Sequence, residues 1–190
     1  MNRALDVIVA GAGLVVASPV LGAAALAIKL DDSGPVLYRQ TRVGKDGVDF
    51  ELVKLRTMVV GAEHQGAGLA VDHGDLRITR VGRFLRKLSL DELPQLWNVV
   101  RGDMSVIGPR PTLRYQVEQY DDRQRHRLDV KPGLTGWAQI HGRARLPWAE
   151  RIELDVWYVE HRSPKTDILI LLRTPLALFS GTYKGATGGW

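Results

Sequence analysis

Between Val7 and Ile28 no residue carries a charge, and Arg3, Asp6 and Lys29 close the run on its two sides. A helix of that length reaches across a bilayer, whose hydrocarbon core takes about 20 apolar residues. No other stretch limits the fold as strongly. Pro19 falls near its middle, where it donates no N–H and its ring clashes with the preceding turn, so a break is expected there, with Ser18 able to rebond the freed backbone groups. Each arm, residues 7–17 or 20–28, is then about 14–17 Å long, roughly half of a ~30 Å core. A re-entrant hairpin that enters and leaves by one face fits those lengths, and a kinked spanning helix fits the composition equally. A cleaved signal peptide is a third reading, disfavoured by Asp6 in the n-region and by the length of the apolar run. Gly11-Ala-Gly13 is not a dinucleotide loop, because no third glycine follows at position 16 and no strand precedes it.

After Lys29 the chain takes on the character of a soluble protein. Gly34-Pro35 opens residues 36–43, Asp46-Gly47 makes a turn, and residues 48–55 return with alternating Val48, Phe50 and Leu52, which predicts a β-hairpin. Arg39, Arg42, Lys45 and Lys54 read as its solvated face, in reach of lipid headgroups. Residues 61–75 read as a mobile loop. With 190 residues, one domain is expected. The formal charge of +5 indicates anionic company: nucleic acid, anionic lipid or a phosphorylated substrate. The absence of cysteine excludes disulfides and thiolate chemistry, and the histidines at 64, 73, 126, 141 and 161 show no metal-ligand spacing.

The chemistry is expected at Arg86-Lys-Leu-Ser-Leu-Asp-Glu-Leu-Pro, where adjacent carboxylates Asp91 and Glu92 follow two cations. Ser89 and Glu92 have the spacing of a capping box, although Pro94 implies a kink or a later helix start. Either way a helix N-terminus favours an ionised Asp91 and attracts phosphate. Acidic residues in a first turn are routine caps, so the neighbourhood decides. Arg77, Arg80, Arg83 and Arg86 recur every three residues and drift around a helix, leaving Arg86 and its neighbours to bind phosphate oxygens. Arg110 is held between Pro109 and Pro111, a cation presented at low entropic cost. Arg123 to Arg127 read as solvated surface. Pro132-Gly133 has the order of a type II turn, and Arg143 beside Gly142 is placed to approach a ligand phosphate. Trp148, Ile152, Val156 and Val159 recur at helical spacing, followed by apolar blocks around Arg173 and Pro175; core packing is the default, and an interfacial helix suits the tryptophans and flanking bases.

The stretch LRITRVGRFLRKLSLDELPQLWNVVRGDMSVIGPRP at 76–111, with GPVLYRQTRVGKDG at 34–47 and KPGLTGWAQIHGR at 131–143, closely resembles the bacterial sugar transferase family, in its small monotopic polyprenyl-phosphate phosphoglycosyl transferase form. Leu76 stands where proline is usual and Leu88 where a small polar residue is common; neither touches the acidic pair. The resemblance implies an α+β, membrane-associated domain with a re-entrant helix-break-helix over 1–30 hinged at Ser18-Pro19, a catalytic domain over 31–184 on the cytoplasmic face of the plasma membrane, and a flexible tail over 185–190. It implies transfer of a sugar 1-phosphate from a UDP-sugar to polyprenyl phosphate, releasing UMP. Asp91 is then the nucleophile and a Mg²⁺ ligand, Glu92 positions or deprotonates the lipid phosphate, and Arg77, Arg86, Arg110 and Arg143 bind phosphate. The rivals are a metal-dependent phosphohydrolase, a basic membrane scaffold, which has no need of the acidic pair, and a nucleic-acid module, which has no use for the apolar segment.

Overall fold

The computed structural model describes residues 2–65, 75–142 and 146–179. Helix α1 (Arg3–Asp31) starts at Asn2, whose side chain accepts from the Ala4 N–H. Among the described residues it is the one helix long and apolar enough to cross a bilayer, and only 17% of its most apolar window is buried, so most of that surface has no protein against it. The expected break at Ser18-Pro19 does not interrupt it: α1 is helical through both residues. Pro19 leaves the Val15 carbonyl without its usual donor, and the Ser18 hydroxyl donates to that oxygen at 2.8 Å. The defect is thus repaired within one turn.

Both ends of α1 are fastened to the same body. Arg3 donates to the Val99 carbonyl and, at 2.6 Å, to that of Val100, at the end of α3 (Gln95–Arg101). Asp6 accepts from the Ser105 hydroxyl and the Val106 N–H, each at 2.8 Å. At the far end Asp31 accepts from the Val81 N–H at the start of α2 (Arg80–Lys87), and Asp32 pairs with Arg56. A guanidinium on a helix C-terminus and a carboxylate on a helix N-terminus both complement the helix dipole.

Strands β1 (Leu37–Val43) and β2 (Asp49–Leu55) form the expected antiparallel hairpin, in register from Leu37 opposite Leu55 to Val43 opposite Asp49. Asp46 and Gly47 make its turn with φ of 55° and 75°, the left-handed conformation that Asp-Gly tolerates. Asn98, fully buried on α3, accepts from the Val53 N–H at 3.0 Å and donates to the Glu51 carbonyl at 2.7 Å, which bonds helix to strand much as a further strand would. Helix α2 lies against the end of β2 so closely that a Cβ at Gly82 would come within 2.0 Å of the Thr57 carbonyl oxygen.

The second half carries β3 (Ser105–Ile107), short helices α4 (Arg114–Val117) and α5 (Asp122–Arg125), β4 (Gly133–Thr135), α6 (Trp137–Ile140), α7 (Trp148–His161) and α8 (Pro164–Phe179). The type II turn expected at Pro132-Gly133 is not formed. Gly133 instead begins β4, which pairs in parallel with β3, Ser105 with Gly133 and Ile107 with Thr135. The glycine serves close approach: a Cβ there would sit 2.0 Å from the Gly108 nitrogen. Ile152 and Val156 of the α7 stripe join Val43, Val117 and Tyr120 in one core cluster, while Leu52, Leu96, Val99, Met104 and Ile170 form another. The apolar blocks around Pro175 form one helix, on which Ile170 is buried and Ile168, Leu172 and Leu176 are exposed.

Candidate active site

Asp91 and Glu92 lie in a single 3-10 turn, Leu90–Glu92, between α2 and α3. The capping box is not formed: Ser89 is itself left-handed (φ 54°) and its side chain caps nothing. Helix α3 begins only at Gln95, because Pro94 is accommodated at a helix start and not one turn inside. The consequence is burial. Asp91 is 4% exposed and Glu92 9%, a degree of enclosure that a solvated capping carboxylate would not have. Asp91 Oδ1 has no hydrogen-bond partner among the described residues. Burial, and then the negative charge of Glu92, pushes the Asp91 carboxyl up to about 6, against the opposing pull of Lys54, Arg86 and Arg110. Near neutral pH the result is an ionised, poorly hydrated oxygen that no protein donor satisfies among the described residues.

Arg110 forks onto Glu92, with one contact at 3.3 Å and a closer one to the other oxygen. Its backbone is fixed from behind. Arg127 donates at 2.9 Å to the Arg110 carbonyl, pairs with Asp155 at 2.6 Å and bonds the Tyr120 hydroxyl. Arg127 is therefore buried, 4% exposed, and not the solvated surface residue its charged neighbours suggest. Gly108 and Pro109 complete the cradle: the Gly108 N–H donates to the Thr135 carbonyl and the Gly133 N–H to the Pro109 carbonyl. Arg86 donates to the Thr57 hydroxyl at 2.8 Å, an aim set by the close seating of α2 on Thr57.

Two cations of the hairpin complete the site in place of the expected solvated face. Lys54 is half-buried, and burial lowers its ammonium to about 8 although the Asp91 charge acts the other way. Arg42, also half-buried, donates to the Gln40 side chain at 2.6 Å and is brought down to about 10 by burial and the Arg110 charge. The register offers a signal for both: Lys54 and Arg42 have the strand parity of Leu52, whose side chain is in the core. Arg39 does remain exposed and pairs with Glu51. Arg77 is placed with Asp75, at 2.6 Å, and donates to the carbonyls of Ala62 and Gln65, so the described start of the expected mobile loop is tied down. Arg143 and residues 66–74 lie outside the described residues.

Among the described residues no three His, Asp or Glu side chains converge as a metal cage. What the turn offers is a pair of carboxylates and a surround of cations suited to phosphate: Arg86, Arg110, Lys54 and Arg42.

The model of the family described as bacterial sugar transferase matches residues 1–181. The chain is 42% identical to the UDP-N-acetylgalactosamine-undecaprenyl-phosphate N-acetylgalactosaminephosphotransferase of Aeromonas hydrophila, over 95% of this chain and 44% of that protein. It is 44% identical to the UDP-glucose:undecaprenyl-phosphate glucose-1-phosphate transferase of Caulobacter vibrioides, over 94% of this chain and 70% of that one. Against the exopolysaccharide production protein ExoY of Rhizobium meliloti the identity is 37%, over 96% and 88%. The chain thus spans less than half of the Aeromonas protein and most of the Rhizobium one.

Proposed function

We propose, from the premise that this chain belongs to the bacterial sugar transferase family, that it moves a sugar 1-phosphate from a UDP-sugar to a polyprenyl phosphate, as the names of its relatives describe for their own substrates. The observation that carries the mechanism is the buried Asp91 oxygen without a hydrogen-bond partner. Asp91 attacks the β-phosphorus of the UDP-sugar; an O–P bond forms as the bond to the bridging oxygen breaks, and UMP leaves with that electron pair. A phosphate oxygen of the polyprenyl phosphate then attacks the same phosphorus and frees the Asp91 carboxylate, giving polyprenyl diphosphate sugar. Glu92, held by Arg110, positions the incoming lipid phosphate and takes its proton if it carries one. Arg86, Arg110 and Lys54 hold the diphosphate oxygens, with Arg143 from outside the described residues; Arg77 acts on the same anion through the segment it fixes.

Mg²⁺ fits this set, since it is commonly held by one or two carboxylates together with substrate phosphates, and the unpartnered Asp91 oxygen is such a donor. Bound there with the donor diphosphate, it supplies neutralisation of the charge on the leaving UMP. For the membrane, the support comes from α1: both ends of this uninterrupted helix are held by one catalytic body, which favours a placement with both ends on the cytoplasmic side, where nucleotide sugars are made. The test is product analysis with a panel of UDP-sugars and undecaprenyl phosphate. UMP and a lipid diphosphate sugar are expected; free sugar phosphate in water would identify a phosphohydrolase instead.

A further inference from the structure

A groove of about 460 Å³ runs between the second half of α1 and helix α2. Ala23, Ala24 and Ala27 form one wall, Phe84 and Leu85 the other, and Leu90 also lines it. The residue after Leu90 is Asp91. We infer that this groove takes the first isoprene units of the polyprenyl phosphate, an assignment that rests on the acceptor chemistry proposed above and adds the place of its tail.

Three observations lead to that occupant. The volume lies in the ~300–1,000 Å³ range of small-molecule sites, and the lining is apolar apart from Arg80. The alanine wall lacks side-chain bulk, which leaves room for the methyl branches of an isoprenoid. Charge supplies the direction: a chain lying along the groove toward Leu90 brings its terminal phosphate to the turn where Arg86, Lys54 and Arg110 act on Asp91. The opposite orientation would offer a phosphate dianion the single guanidinium of Arg80, beside the Asp31 carboxylate that accepts from the Val81 N–H, in place of the three cations beyond Leu90. Beneath the groove Ala24, Ile28, Leu55 and Leu85 pack as one cluster, so its floor is part of the folded core and not a gap between loosely associated helices.

The test uses the full-length protein in phosphatidylglycerol nanodiscs and a polyprenyl phosphate carrying a photoreactive group on its first isoprene units. Without any UDP-sugar, illumination should label peptides containing Ala27 or Phe84. Unlabelled polyprenyl phosphate should displace the label and excess phosphatidylglycerol should not. Ala27→Phe fills the groove from a half-exposed position, so the fold should survive. It should abolish labelling and raise the KM for polyprenyl phosphate about tenfold while leaving the KM for the UDP-sugar unchanged. Label elsewhere on the chain, label lost equally to bulk phospholipid, or an unaltered acceptor KM in Ala27→Phe would overturn the assignment. Intact labelling in a protein that transfers no sugar phosphate would leave the lipid groove standing and remove the enzymatic reading.

Discussion

Asp91 is raised from the ordinary 3.8 to about 6 because its charge is buried beside Glu92. A folded-state pKa above the unfolded one means the folded protein binds the proton more tightly, so stability falls as pH rises from about 4 to about 6 and stays reduced above. Replacing Asp91 with Asn should therefore abolish transfer and stabilise the protein at pH 7.5, by an order of 1–3 kcal/mol, with the difference vanishing below about pH 4. Thermal melts across that range check the sign; a destabilised Asn variant at neutral pH would show the carboxylate to be a structural cap. Transfer itself should decline as pH falls through about 6, when the carboxylate takes up a proton. Lys54 opposes that protonation, so Lys54→Gln should move the acid limb of the pH-rate profile to higher pH, and an unmoved limb would place Lys54 outside the site. The acidic pair, Arg86 and Arg110 were legible in the sequence, since each sits in a short motif with its own local chemistry. Lys54 and Arg42 were not. The parity they share with Leu52 is masked because Val53 and Leu55 on the opposite face of the strand are buried as well, by elements distant in the chain.

Among the elements, the hairpin was readable because Asp46-Gly47 fixes a two-strand register by turn chemistry alone. The β3–β4 pair was not, because it joins segments nearly thirty residues apart, and the Pro-Gly that suggests a turn serves instead to let Gly133 approach Gly108. The same long-range closure hides Arg127, which looks like one more surface arginine until the Pro109-Arg110-Pro111 loop is laid across it. Arg127→Met alone leaves Asp155 buried and unpaired, at a cost of about 3–5 kcal/mol. The double change Arg127→Met with Asp155→Leu removes both charges and should fold with near-parental stability, yet lose about ten- to a hundredfold in transfer because the Arg110 carbonyl is no longer held. Melting curves and transfer rates for both variants separate the two roles; full activity in the double variant would show the loop to be rigid without Arg127.

For the molecule as a whole, α1 is the apolar element that the proposed function sets against the membrane. Its apolar length was plain from the sequence; that Asp6 and Asp31 fasten both ends to one body was not, since their partners Val106 and Val81 are distant in the chain. A cytoplasmic catalytic body then requires both ends of α1 to be cytoplasmic. Single cysteines at Asn2 and Ser33, which spare the Asp32 pair with Arg56, should both resist an impermeant maleimide in intact cells and react after permeabilisation. Labelling of the Asn2 position from outside would make α1 a spanning anchor. On the proposed function, donor and acceptor reach one carboxylate from two phases, the UDP-sugar from water and the polyprenyl phosphate from the bilayer, and the covalent reading predicts that the phosphosugar resides on Asp91 between the two encounters. The most direct measurement is the intact mass of the protein after incubation with UDP-sugar and Mg²⁺ but no lipid. One added sugar phosphate, mapped to the Asp91 peptide and discharged by polyprenyl phosphate, is the expected result. An unmodified protein that releases UMP only when both substrates are present would contradict it.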